Sequence, residues 1–342
     1  MRMPALGTQF PLLEMIHVRK GTAGRAPDDH VHDNEVIGVV LLKRYLKNIS
    51  SRIPEKPPHR SPGDVKPEIE TRETKRNSYI VRSSHRDVTM ENIQVMGVKC
   101  LPLIHAGDDI AQMICDHIPL QDGDILCIAS TIHSKAKGCT KKLSAIIPTK
   151  RAERLAKTNG EDPRFVQAVL DASADIIMEQ PFILSEMAFG HIGVRAGVDQ
   201  SNIEDGMVIF LPADPMKSAQ ELQEEVKMIC GRDVGIIITD TCGRSFRRGQ
   251  TGHAIGWSGF TAIRDFRGDT DLFGHVLKIT EEAVADEIAG FANFVMGESN
   301  NGVPAVVFRN CPKWTGHDNL YFRNDEDITK KVLKKEWSHE RQ

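Results

Sequence analysis

The chain has 342 residues, 40% of them hydrophobic and 27% charged, which is enough to bury one large core or two ordinary ones. Its formal net charge of -3 offers no basic excess to draw the surface onto a nucleic-acid backbone. No apolar run reaches the ~18 to 20 residues of a membrane-spanning helix, so nucleic acid and membrane are both set aside as partners.

At the amino terminus, MRMPALGTQFPLLEMIHVRKG is interrupted by Glu14 and lacks a small-residue cleavage site, so no signal peptide is read and a cytoplasmic location is expected. Seven cysteines, odd in number and never spaced C-x-x-C, fit small buried residues in a reducing compartment. Residues 1–90 read as an N-terminal extension. Within it, VIGVVLLKRYLKNI (36–49) fits a short helix or strand that cannot hold a core alone. The Pro-rich, charged stretch from Ser51 to Asp87 has too few apolar side chains to offset backbone ordering, and is expected to be a disordered linker.

From Met90 the texture becomes that of a compact α/β enzyme, and residues 91–342 read as its catalytic domain. Helices are expected at 108–118, 148–159, 162–179, 217–231 and 281–297. Apolar strands are expected at 123–130, 206–212, 234–240 and 303–308. Neither an internal repeat nor a heptad seam is present.

Four segments carry candidate chemistry. In ASTIHSKAKG (129–138), Ser130 and Thr131 close a strand and Lys135 stands within reach of an anion; a solvated lysine is the plainer reading. In FGHIGVRAGVDQSNIEDG (189–206), Asp199 and Asn202 arrive in a polar turn, where they fit a metal and a nucleotide contact or simply an Asx turn. His191 reads as a satisfied core histidine.

In GIIITDTCGRSFRRGQTGHAIG (235–256), an apolar strand delivers Asp240 and Thr241, oxygen donors suited to Mg2+ or Mn2+, into a Gly- and Arg-rich loop. Arg244, Arg247 and Arg248 offer forks for phosphate or carboxylate, and equally fit solvated surface pairs. In FVMGESNNGVP (294–304), Glu298 follows the helix-stopping Gly297 and reads either as a further metal carboxylate beside a phosphate-binding turn or as a surface acid.

These segments, with LPLIHAGDD (101–109), DLFGHVLKIT (271–280) and VADEIAGFANFVMGE (284–298), resemble the coenzyme F420:L-glutamate ligase family from about Met90 to Asn310. The resemblance implies a mixed α/β (α+β), two-lobed ligase fold that forms an intertwined homodimer. It further implies GTP contacts at Leu101, Pro102, Leu103 and Ile104 (a first nucleotide-contacting strand), at Ser130, Thr131, Lys135 and Asn202, and along Met296, Gly297, Glu298, Ser299, Asn300, Asn301, Gly302 and Val303. Asp199 and Asp240 are implied ligands of one divalent cation, Mg2+ or Mn2+, and Thr241 and Glu298 of a second, with K+ as a further ion.

The implied reaction adds L-glutamate to the deazaflavin precursor coenzyme F420-0 and forms a γ-linked glutamate tail, with GTP activating the carboxylate as an acyl phosphate. No covalent enzyme intermediate is needed, so Cys242 is not expected to be a nucleophile. Charge complementarity assigns Arg247 and Arg248 to the acidic tail or the incoming glutamate. The rivals are a GTP- and metal-binding regulatory protein without turnover, and a metal-dependent phosphohydrolase. The family's start corresponds to the region of Met90, so residues 1–89 are expected to be a dispensable extension or a misassigned start.

Overall fold

The computed structural model describes residues 92–323 and 326–339; the expected extension and linker lie outside the described residues. Strand β1 (Gln94–Val98) leads through an irregular stretch to α1 (Ile110–His117), whose N-cap Asp109 accepts the Gln112 N–H. Strand β2 (Ile125–Ala129) passes without a loop into α2 (Ser130–Ala136). After β3 (Thr140–Lys142) come α3 (Lys150–Asn159), capped by Thr149, and α4 (Pro163–Ala172), capped by Asp162 with proline in its first turn.

Strands β4 (Asp175–Met178), β5 (Leu184–Glu186) and β6 (Ile192–Val194) form a small antiparallel sheet, and β7 (Met207–Ile209) pairs with β3. Helix α5 (Pro215–Cys230) ends at Gly231, whose φ of 68° lies where only glycine is unstrained. The long hairpin β8 (Gly235–Arg244) and β9 (Arg247–Ser258) follows. The chain is completed by β10 (Ile263–Asp265), β11 (Glu281–Glu282), α6 (Val284–Met296), β12 (Ala305–Arg309), β13 (Gly316–His317) and α7 (Ile328–His339). The fold is thus mixed α/β, with seven α-helices and four sheets among the described residues.

The central sheet runs β1-β12-β2-β8-β9, and only the β2–β8 pair is parallel. Alternation sends Leu126, Ile128, Ile236, Ile238 and Val307 to one face, where α1, α2 and α5 cover them. Ile125, Cys127, Ile237, Val306 and Phe308 face the other side, under the alanine stripe Ala285, Ala289 and Ala292 of α6. A separate apolar cluster, between Ile146 and Val208, holds α3, α4 and the small sheet together. Arg309 forks onto buried Asp124 at 2.9 and 2.7 Å and also donates to Pro119 O at 2.8 Å, tying β12 to the start of β2. Breaking such a pair costs about 3–5 kcal/mol, because one charge is then left buried without compensation.

Several expectations are corrected. The helix expected over 162–179 stops at Ala172: Ser173 is extended, its Oγ donates to Val169 O at 2.6 Å, and the β-branched pair Ile176–Ile177 continues as buried strand β4. The strand expected over 206–212 keeps only three residues, the length its partner β3 can match. Ser130 and Thr131 open a helix instead of closing a strand. Leu101 to Ile104 is not a strand: it lies outside the sheet, with Ile104 in the core and Leu103 81% exposed.

The Gly- and Arg-rich loop expected after Thr241 is strand in its greater part. Gly252 pairs with Thr241 and Gly256 with Ile238, and a Cβ on Gly256 would sit 2.1 Å from Pro215 O. These glycines therefore mark close helix approach and not a turn.

His133 on α2 is 1% exposed with neither ring nitrogen partnered, and burial, helped by Lys137, pushes its pKa down from 6.5 to about 4. The unfolded chain therefore binds the proton first, so this histidine's contribution to stability is complete above pH 6.5 and is lost as the pH falls towards 4. By pH 5 the loss amounts to about 2 kcal/mol. His191 is pushed down to about 4 in the same direction, chiefly by burial. His133→Leu is expected to narrow the gap between melting temperatures at pH 7.5 and pH 5; an unchanged gap in thermal denaturation would reject this account.

Candidate functional site

The parallel pair fixes the centre of the site. Ala129 is in register with Thr239, so the next residues, Ser130 and Asp240, lie side by side where β2 ends; contrary to the sequence expectation, β8 does not end there but runs on to Arg244, paired with β9. In open α/β sheets this edge is where ligands bind. Ser130 Oγ donates to Asp240 Oδ1 at 3.0 Å. The Asp240 carboxyl is pushed up from 3.8 to about 6: burial disfavours its charge and the Asp199 and Glu298 carboxylates add to this, against hydrogen bonds from Ser130 and the Thr241 N–H. Three acids thus act on one another here, opposed at Asp240 by neutral donors.

Thr241 points at the end of α6. Its Oγ1 donates to Glu298 Oε1 at 3.0 Å and accepts from Asn293 Nδ2 at 3.1 Å, while that same amide also donates to Glu298 Oε1. Gly297, at φ 72°, turns the chain out of the helix and sets Glu298 there. From Glu298 the exposed turn Ser299, Asn300, Asn301 and Gly302 returns through buried Val303 to β12; Ser299 Oγ donates to Asn301 Oδ1 at 2.9 Å, and Met296 is anchored in the core.

Asp199 is exposed and is held by a two-way backbone bridge to Ile209, at 3.1 and 2.9 Å. Its Oδ1 accepts the Gln200 and Ser201 N–H groups at 2.7 and 3.2 Å, and its Oδ2 accepts the Ser201 hydroxyl. Asn202 turns the chain at φ 50°. Thr131 and Lys135 are half-buried on α2.

The structure accordingly brings Ser130, Asp199, Asp240, Thr241 and Glu298 together. The backbone of Arg247 pairs with Arg244, four residues beyond Asp240, and so lies about 13 Å further along the hairpin at the ordinary rise of a strand.

Beneath Asp240, the Cys242 thiol lies 4.0 Å from Oδ2 and 3.2 Å from His191 Nε2. His191 is buried, as a core histidine should be, and burial pushes the Cys242 thiol up, which keeps it a poor nucleophile. Sequence reasoning missed Asn293, which with half-buried Asp286 is one of two polar residues that α6 turns toward the hairpin. Asp265, Glu281 and His317, on three different strands, also lie with their ligand atoms within 4.8 Å of one another. There Arg267 already supplies the positive charge, forking onto Asp265 at 2.8 and 2.6 Å, reaching Glu281 at 3.2 Å and holding the Asp265 carboxyl down at about 2.

The profile of the F420-0:gamma-glutamyl ligase family matches residues 97–310. The chain is 43% identical over 245 residues to a coenzyme F420:L-glutamate ligase of Archaeoglobus fulgidus, an alignment covering 71% of this chain and 98% of that protein. A protein of the same name from Methanosarcina acetivorans is 45% identical over 245 residues, 70% of this chain and 96% of its own length. One from Haloarcula marismortui is 41% identical over 257 residues, 73% of this chain and all of that protein.

Proposed function

The chain belongs to the F420-0:gamma-glutamyl ligase family, and from that premise we propose that it adds L-glutamate to the deazaflavin precursor coenzyme F420-0 and forms a γ-linked glutamate tail, using GTP. The observation that carries the reading is the convergence of Asp199, Asp240 and Glu298 with Ser130 and Thr241 where β2 ends beside β8. Forming an amide in water requires an activated carboxylate, and phosphoryl transfer from GTP supplies one as an acyl phosphate. The glutamate amine then attacks the acyl carbon, and phosphate leaves with the bonding electron pair.

The donor set fits divalent cations. Hard carboxylate and hydroxyl oxygens predominate, and the acids at Asp240 oppose each other's charge in a way that Mg2+ or Mn2+ would relieve. Asp199 with Asp240 would hold one ion and Thr241 with Glu298 a second; such ions neutralise charge developing on the phosphoryl oxygens. The protein's own task is positioning. Ser130 steadies Asp240, and the backbone bridge to Ile209 fixes Asp199.

Leu101 to Ile104, Ser130, Thr131, Lys135, Asn202 and the turn from Met296 to Val303 are assigned to the nucleotide. Arg247 and Arg248 are assigned to the acidic tail or the incoming glutamate, a reading that the charge complementarity of their guanidinium forks supports. Assembly as an intertwined homodimer, a role for K+ and a cytoplasmic location complete the reading; no helix among the described residues is long and apolar enough to cross a membrane.

Purified protein given the precursor, GTP, Mn2+ and glutamate should release GDP and yield a glutamylated product, and chelating the metal should abolish both. GTP binding without product would sink the ligase in favour of a regulatory protein; phosphate release independent of glutamate would make it a phosphohydrolase. In the same assay, replacing Arg247 and Arg248 together with alanine should raise the KM for glutamate or the acceptor.

A further inference from the structure

The geometry points to Asn293 as the positioning residue that sets the second cation site, holding Thr241 and Glu298 at a fixed separation before any ion binds. This inference rests on the proposed pairing of those two ligands. A side-chain amide nitrogen carries two hydrogens, and here Asn293 Nδ2 lies within donating distance of both Thr241 Oγ1, at 3.1 Å, and Glu298 Oε1. The Thr241 hydroxyl hydrogen also goes to Glu298 Oε1, at 3.0 Å, which closes a ring of three side chains. The donor accounting leaves one lone pair on Thr241 Oγ1 and the whole of Glu298 Oε2 without a donor in this ring, so both can face a cation.

The amide itself is rigidly mounted. Asn293 O accepts the Gly297 N–H at 2.8 Å, so the residue belongs to the hydrogen bond that ends α6, immediately beneath Glu298. On the other side Gly252, the strand partner of Thr241, lets the helix approach so closely that an added Cβ would lie 2.7 Å from Asn293 Cβ. Helix, strand and turn thus meet at one amide. A group that orients metal ligands in this way governs affinity for the ion more than the chemistry that follows.

The test titrates the full chain with Mn2+ in the presence of GDP, reading free Mn2+ by electron paramagnetic resonance. Wild type should take up two Mn2+ per chain. Asn293→Ala should leave one binding event unchanged and weaken the other about 10- to 100-fold. Asn293→Leu, which keeps the side-chain volume without the donors, should behave alike and serves if the alanine variant fails to fold. At saturating Mn2+ the turnover of either variant should return to within about threefold of wild type, as expected when affinity alone is lost. Two Mn2+ bound with wild-type affinity by the variants would overturn the role of Asn293 alone, as would equal weakening of both events. Failure of wild type to take up two Mn2+ would overturn the cation sites themselves.

Discussion

Asp240→Asn is expected to reduce glutamate-dependent GDP release by about 10³-fold, the scale of several kcal/mol of transition-state charge stabilisation, while the protein stays folded. Asparagine keeps an oxygen that can accept from Ser130 Oγ and the Thr241 N–H, so hydrogen bonding around position 240 is retained. What disappears is the negative charge. In the native chain that charge is opposed by burial and by Asp199 and Glu298, which pushes the carboxyl up to about 6. Removing it should leave the melting temperature unchanged or raise it by a few degrees, the usual relation between a site held under strain and its function. Turnover within about threefold of wild type would reject Asp240 as a ligand, and loss of the folded circular-dichroism spectrum would reject the claim that its charge serves only the site.

The second large effect is expected at Gly252. An added Cβ would lie 2.4 Å from Ala289 O and 3.0 Å from Ala289 C, backbone atoms that can yield only if α6 moves. Gly252→Ala should therefore cost about 3 kcal/mol, the upper range for overpacking, seen as a fall of about 10 °C in melting temperature. Because α6 leads directly into Glu298, GDP release should fall at least about 10-fold as well, as for a displaced supporting group. Gly290→Ala supplies the contrast, since its Cβ would meet only the Thr251 hydroxyl, at 3.2 Å, and the Gly252 carbonyl oxygen at 3.7 Å. Equal behaviour of the two variants would show that the helix is not seated against Gly252 as described.

These glycines also show where sequence reasoning reached its limit. Apolar runs such as Ile125–Ile128 and Ile236–Ile238 announce buried strands, and the periodic stretches that became α1, α3, α5 and α6 announce helices. The hairpin strand β9 was hidden, because Gly249, Gly252 and Gly256 look like punctuation until the helices lying against the last two are known. In the same way the early end of α4 depends on Ile176 and Ile177 being taken up by a small sheet that no local pattern specifies.

Within the site, Asp240 and Thr241 were legible as oxygen donors following an apolar run, although β8 continues past them to Arg244, and Glu298 by its place after a helix-stopping glycine. Which residues meet was not legible. The contact between Ser130 and Asp240 spans 110 positions and exists only because β2 and β8 lie parallel in one register. Asn293 gains its meaning only when a helix, a strand and a turn meet, and spacing along a single chain does not encode that.

The pairing of β1 with β12 bears on how the protein can be handled. Val98 lies opposite Ala305, which in turn neighbours Ile128 at the edge carrying the site, whereas Gln94 lies opposite Arg309 at the far end of the sheet. Strand β1 therefore begins on the side of the sheet facing away from Asp240 and Glu298, about 13 Å back from Val98 at the ordinary rise of a strand. A surface linkage or reporter attached at exposed Gln94 would therefore sit away from Asp240 and leave the mouth of the site open to small-molecule ligands.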